Sequence, residues 1–308
     1  MRKVIVILAA LSVATAAAAQ GTAFEWLRIS RNPAASGMAG AGYASLSHGS
    51  AYSVTGNPAV APLVENKLSA GASFSLVPSG EKSRGVAAAG ASWNTGKFSI
   101  SAAYVGGKYP TVEFASDGGG SAGTYTPSDL MAGLGMGFAI GENLSFGVNA
   151  RFAKSTLTAK KAINTVNGDV AAMWKNGNLG VSAGVYCIGP KVKSGNSQYG
   201  TPASAKLSGS YALGFGDCVL DLAADADYFF NGTIGLAAGG NFAWKDIAYV
   251  RAGYCFGTPA GADFKAAPVP SHFALGAGAK YFGIGLALRV AVLSAAGTTF
   301  CAGLTYGF

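Results

Sequence analysis

Ile284-Gly285-Leu286-Ala287-Leu288-Arg289-Val290-Ala291-Val292 is the stretch on which the fold turns. Branched aliphatic residues occupy every second position, and Gly, Ala and one Arg fill the places between. Successive side chains of a strand point to opposite faces, so this segment has one greasy face and one small or polar face. Leu144, Phe146, Val148, Ala150 and Phe152 alternate in the same way with Ser145, Gly147, Asn149, Arg151 and Ala153. So do Leu179, Val181, Ala183 and Val185 with Gly180, Ser182, Gly184 and Tyr186. A soluble two-sheet sandwich needs polar outer faces, which such strands do not supply. A strand whose greasy face meets lipid and whose other face meets a crowded lumen fits the pattern.

Composition agrees. Hydrophobic residues are 50% of the 308 and charged residues only 12%, about half the usual ~25% of a soluble domain. Yet beyond the N-terminus no stretch reaches the ~18–20 unbroken apolar residues of a transmembrane helix. A chain that is greasy on average but never for long suits a transmembrane β-barrel, in which alternate residues face lipid.

Both ends carry export signals. Arg2 and Lys3 precede an apolar run from Val4 to Ala19, closed by the A-x-A site Ala17-Ala18-Ala19. Residues 1–19 therefore read as a secretory signal peptide cut before Gln20, rather than as a signal anchor. At the other end Gly303, Tyr306 and the terminal Phe308, with Leu304 and Phe300 on the aromatic face, resemble the C-terminal signal read by the barrel-assembly machinery. The expected localisation is the cell outer membrane.

Counting alternating segments predicts about fourteen strands, at 67–77, 84–94, 97–107, 129–140, 143–153, 167–175, 178–186, 204–214, 219–230, 234–243, 247–256, 272–280, 283–292 and 299–308. Each is near the ~9–11 residues that a tilted strand needs to cross. The connections test the count independently. Turns at 94–97, 141–143, 176–177, 216–217, 244–246 and 282–283 are tight and mostly carry Asn, Asp or Gly, while the long connections at 108–128, 154–166, 187–203 and 257–271 all fall on the opposite side. Short periplasmic turns and long outer loops are what such barrels show.

Residues 20–66 do not alternate. They read Phe24-Glu25-Trp26-Leu27-Arg28-Ile29, then Gly37-Met38-Ala39-Gly40-Ala41-Gly42, then Asn57-Pro58-Ala59. In this segment the chain resembles the PorV/PorQ outer-membrane proteins of Bacteroidota, relatives of the FadL channel family. Their N-termini carry an F-L-x-I opening, a G-M-G-G-A run and an N-P-A motif before the first strand. Ala34 stands where many members carry Arg, and Ala39 replaces one Gly of the run. The resemblance implies an N-terminal hatch over residues 20–66, folded inside a barrel of residues 67–308, with Gly37, Met38, Gly40, Ala41, Asn57, Pro58 and Ala59 as its motif. Small residues on both hatch and lumen permit close packing, and a fourteen-strand barrel lined by Gly, Ala and Ser is an open hole unless filled. The other reading of the segment, a disordered periplasmic tail, conflicts with its aromatic and aliphatic content.

The glycine run follows no predicted strand and no Lys-Ser/Thr follows it, so it is not a phosphate loop. With two histidines, His48 and His272, a multi-histidine metal site is excluded. Side chains of the adjacent Ser271 and His272 point to opposite faces, which argues against a catalytic pair. No enzymatic activity and no cofactor are expected. Charges at mid-bilayer cost about 2–4 kcal/mol on the lipid face, so Arg151, Asp221, Asp225, Asp227, Arg251, Lys280 and Arg289 are expected to point inward. There they are expected to pair with one another and with Arg28 or Arg31 and so fix the plug, in preference to the other reading, a substrate path. Cys187, Cys218, Cys255 and Cys301 fit no metal spacing, and free thiols and disulfides both remain open. Lys108, Lys154, Lys160, Lys161, Lys191, Lys193 and Lys265 fall in predicted outer loops, facing lipopolysaccharide phosphates; nucleic acid is not an expected partner.

Three functions follow as expectations, one of them a purely structural surface barrel. The PorV/PorQ resemblance implies an accessory barrel of type IX secretion that binds translocon subunits or cargo proteins. The FadL relationship implies instead a channel for hydrophobic small molecules, with the hatch as gate and a lateral opening between strands.

Overall fold

The computed structural model describes residues 22–79, 82–115, 121–158, 161–194, 196–258, 271–293 and 297–308. The expected signal peptide lies outside them, as do Lys160 and Lys265. The strands in chain order are β1 (Leu68–Ser79), β2 (Lys82–Asn94), β3 (Phe98–Lys108), β4 (Val112–Ala115), β5 (Ser121–Tyr125), β6 (Ser128–Ile140), β7 (Leu144–Thr158), β8 (Lys161–Asn176), β9 (Leu179–Ile188), β10 (Val192–Ser194), β11 (Ser197–Tyr199), β12 (Ser204–Phe215), β13 (Cys218–Phe229), β14 (Ile234–Trp244), β15 (Ala248–Thr258), β16 (His272–Tyr281), β17 (Ile284–Leu293) and β18 (Gly297–Gly307).

Fourteen of these close into one antiparallel barrel, with β1 paired to β18 at the seam. The hairpins β4–β5 and β10–β11 stand apart from it, within the connections at 109–127 and 189–203. Closure leaves no sheet edge unpaired in lipid, where a bare backbone group costs several kcal/mol. Every predicted strand is present. The expectation for 154–166 is corrected: β7 and β8 run on to Thr158 and from Lys161, so Lys154 and Lys161 belong to strands. The polar composition of this stretch conceals its strand alternation, because Ser155, Thr165 and Asn167 face inward and are buried.

The stretch 284–292 behaves as its alternation requires. Ile284, Leu286, Leu288, Val290 and Val292 are exposed on the outer wall, and Arg289 and Ala291 are buried inside. Exposed aliphatic and aromatic side chains of this kind cover the outer wall on every barrel strand, for example Leu134, Met136 and Phe138 on β6. Such a surface is stable only against lipid. Trp93, Trp174, Trp244, Tyr281 and Phe308 mark its border at the short-turn end. The molecule is a transmembrane β-barrel of outer-membrane type.

Its turns follow from backbone preference. The hairpin between β16 and β17 places both Phe282 (φ 46) and Gly283 (φ 77) in the left-handed region, the geometry that matches strand twist.

Candidate functional site

Much of the segment 22–66 packs against inward-facing residues of the barrel wall. Asn32 caps a short helix, Pro33–Gly37, by accepting from Ala34 N at 2.9 Å, and Pro33 occupies the first turn, where its missing N–H costs nothing. Beyond it Ala39 (φ 55), Gly40 (φ 91) and Gly42 (φ 105) turn the chain through left-handed conformations. Ala39 therefore holds a backbone angle suited to the glycine of the resembled motif, at a cost of about 1–2 kcal/mol. Its methyl group is buried with Cys255, Ala274 and Ala291.

Inward glycines of the wall receive this segment. A Cβ on Gly239 would stand 2.7 Å from Met38 Cβ, and Gly253 also meets the Met38 backbone. On Gly137 it would stand 2.6 Å from Pro62 Cγ, and on Gly37, within the segment, 3.3 Å from Gly276 Cα. Gly303 abuts Pro33. Met38 and Ala41 are wholly buried. Asn57 donates to Tyr43 O at 2.6 Å and to Ser182 at 2.8 Å, and accepts from Ala59 N at 2.9 Å. Pro58 and Ala59 press on Gly147.

Charged side chains fix the segment to the wall. Asp225 accepts from the backbone N–H of Gly42 (3.2 Å) and Tyr43 (3.4 Å) and from Ser208. Asp221 accepts from Ser45 and Ser47. Lys206 pairs with Asp227 at 2.7 Å, stands 3.9 Å from Asp225, and sits 3.7 Å over the Tyr43 ring. Arg151 pairs with Asp169 and reaches Asn167 and Val54 O.

The expected pairing is thus corrected. Asp221, Asp225, Asp227, Arg151, Arg251 and Arg289 all face inward, but none pairs with another of the set among the described residues. Their partners are Asp169, Lys206 and hydroxyls and backbone of the inner segment. Lys280 lies at the short-turn rim, 41% exposed, bonded to Asp246 at 2.7 Å. Arg28 pairs with Glu25, and Arg31 donates to Trp26 O at 2.9 Å. Arg289 bonds Thr299, and among the described residues Arg251 has no hydrogen-bond partner at Nε or Nη1, its guanidinium lying 4.7 Å over the Tyr249 ring. Asp129, which holds Arg84, and Lys206 and Asp169 are lumen ion-pair residues that the sequence reading does not single out. Each sits on the inward parity of a predicted strand, which is the available signal. Choosing partners also needs the register. At Asp169 a β-bulge intervenes: Cys187 (φ 56) bends inward and gives its N–H to Asp169 at 2.8 Å.

All four cysteines are free thiols. Tyr306 and Phe308 point outward, while Phe308 pairs its backbone with Leu68 and so closes the seam.

Between the segment and the outer half of the wall lies a cavity of about 720 Å³. Phe24, Trp26, Leu27, Tyr43, Ile163, Tyr186 and Phe229 give it apolar walls. Five cationic side chains border it, Arg28, Arg84, Arg151, Lys206 and Arg289, against three acidic ones, Glu25, Asp129 and Asp227. A second hollow of about 590 Å³ lies in the wall across β12–β15, bordered by lipid-facing Leu207, Leu236, Tyr254 and Phe256. Ala237 borders both.

The closed barrel is similar to several solved structures. The CymD monoaromatic hydrocarbon channel aligns with TM-score 0.61 at 11% identity, over 90% of this chain and 97% of that one. The Pseudomonas putida toluene transporter TodX gives 0.59 at 11%, over 82% and 92%. A Pseudomonas aeruginosa FadL homologue gives 0.55 at 12%, over 90% and 98%. At such identities the likeness is one of fold: the barrel has the FadL-like architecture. No family model matches the chain, and no curated protein matches it.

Proposed function

We propose that the protein is an outer-membrane channel for hydrophobic small molecules, with the N-terminal segment as a plug across its lower lumen. The cavity of about 720 Å³ carries the reading. It falls in the size range of small-molecule sites, has aromatic walls and a few charged groups, and sits on the outer side of the plug. Four of the bordering cations are paired with carboxylates, and Arg289, which has no carboxylate partner among the described residues, is the group that would meet an anionic end on an apolar ligand. Close packing of Met38, Pro58 and Pro62 on wall glycines blocks a straight path downward. Ala237 borders both the cavity and the hollow over β12–β15, but it is paired to Asp225 and Cys255 in an unbroken ladder, so a lateral exit there requires those strands to part.

The test is uptake. Intact cells producing the protein should take up the apolar fluorophore N-phenyl-1-naphthylamine faster than cells lacking it, because the outer leaflet resists apolar solutes. Equal rates in the two strains would sink the channel reading.

The second reading, an accessory barrel of type IX secretion, has the Gly37-Met38-Ala39-Gly40-Ala41 run and Asn57-Pro58-Ala59 in its favour. On that reading the partners are translocon subunits or cargo proteins, and the outer hairpins β4–β5 and β10–β11 are the surfaces to meet them. Co-purification with such proteins is its test.

A further inference from the structure

Cations at the two rims of the barrel are balanced differently. At the short-turn rim Lys245 pairs with Asp217 at 3.5 Å and Lys280 with Asp246 at 2.7 Å. At the opposite end Lys108 closes β3 and Lys154 lies on β7, both exposed. Among the described residues neither has a carboxylate partner. Parity turns both away from the lumen. Lys108 follows Ile100 and Tyr104 on the outer face of β3, and Lys154 follows Val148 and Phe152 on that of β7. Register gathers them into one patch. Lys108 pairs with Ser128 and Ser128 with Thr156, while Lys154 pairs with Leu130 and Asn164. Ser128, Thr156 and Asn164 share the outward parity, and among the described residues no acid lies on this face of β3, β6, β7 or β8.

We propose that this patch binds the phosphorylated headgroup of lipopolysaccharide in the outer leaflet, with Lys108 and Lys154 on phosphate and Ser128, Thr156 and Asn164 on sugar hydroxyls. Height supports it. Lys154 stands ten residues above Leu144 (154 − 144), whose partner Trp174 marks the short-turn border, and Lys108 ten above Phe98 (108 − 98). At about 3.3 Å per residue and a tilt of about 40°, ten residues climb about 25 Å, the height of the apolar band. Both ammonium groups therefore stand at its outer edge, level with lipid headgroups. Two strand spacings and a two-residue offset put their Cα atoms about 12 Å apart along the wall, a gap that two long side chains can close on one headgroup. Cations without acids select a lipid that brings net negative charge. A zwitterionic phospholipid carries its own ammonium, for which the patch has no carboxylate. Below the lysines, exposed Tyr104, Leu134, Phe152 and Val166 provide an apolar floor for acyl chains.

The test titrates the purified protein in nonionic detergent with rough lipopolysaccharide, or with phosphatidylethanolamine, and reads the complexes by native mass spectrometry. The wild type should hold the glycolipid in preference to the phospholipid. Lys108→Gln with Lys154→Gln should weaken glycolipid binding about tenfold, and Lys108→Arg with Lys154→Arg should keep it. Lys191→Gln with Lys193→Gln, at the β10–β11 hairpin and off the barrel wall, should leave it unchanged. Heat-modifiable gel mobility shows that each variant is a closed barrel. Wild-type affinity in the Lys108/Lys154 glutamine pair overturns the proposal, as does an equal loss in the hairpin pair. A loss of the same size with enzymatically dephosphorylated glycolipid overturns it too, because the lysines would then not be reading phosphate.

Discussion

Gly147 on β7 leaves room for the backbone of Ala59: a Cβ there would stand 2.5 Å from the Ala59 nitrogen. The approach is backbone to backbone, so no side chain can swing aside to admit a larger residue. Gly147→Val should unseat the 57–60 turn at a cost of about 1–3 kcal/mol. Single-channel recording should show a raised or flickering conductance for this variant, with the barrel still closed by circular dichroism. Quiet, wild-type traces would mean that the turn is not a seal.

Arg151 and Asp169 form an ion pair buried in the wall under Val54 and Cys187. Removing one partner strands the other, so Asp169→Leu or Arg151→Met alone should cost about 3–5 kcal/mol. The double variant should recover much of that loss. Urea unfolding of the barrel in lipid vesicles reads all three, and equal losses in single and double variants would contradict the pairing.

Arg289 borders the outer cavity and, among the described residues, has no carboxylate partner. Arg289→Met therefore strands no buried acid, unlike a change at Lys206. Affinity for an apolar probe with a carboxylate head should fall about tenfold, or about 1.4 kcal/mol. Affinity for the uncharged methyl ester should not move. Parallel losses for acid and ester would show that Arg289 acts through packing alone.

His48, partly buried, contacts Met38 Sδ at 3.2 Å and lies near Arg251; desolvation first, and the Arg251 charge second, push it down to about 3. A histidine depressed in the folded state destabilises the fold below its unfolded value of about 6.5, where the unfolded chain takes up a proton that the folded one refuses. Stability should then decline as pH falls from about 6.5 toward 3. His48→Gln should flatten that part of the profile, measured as unfolding midpoint against pH. An unchanged slope would assign the acid sensitivity elsewhere.

The barrel is readable in the sequence because lipid imposes a strict rule. Along Ile284 to Val292 every second residue must be apolar, and a slip of one place would put Arg289 into the bilayer. Turn residues such as Gly141, Gly177 and Gly216 then set strand ends to within a few positions. The lumen obeys a looser rule. Its side chains meet a segment distant in sequence, so Asp225 takes Gly42 and Tyr43, and Arg84 takes Asp129, by registers that no local pattern encodes. The extension of β7 and β8 escapes a sequence reading because lumen-facing Ser155, Thr165 and Asn167 resemble loop residues. The cavity, formed between Phe24 to Ile29 and the wall, has no signature in either segment alone.

The most direct test is to purify the protein from native outer membranes in mild detergent and identify everything bound to it by native mass spectrometry. The account predicts an apolar small molecule at near one-to-one stoichiometry, lost in a variant whose cavity is filled by Ala237→Trp. A protein partner at fixed stoichiometry, with an empty cavity, would contradict the channel and favour the secretion role.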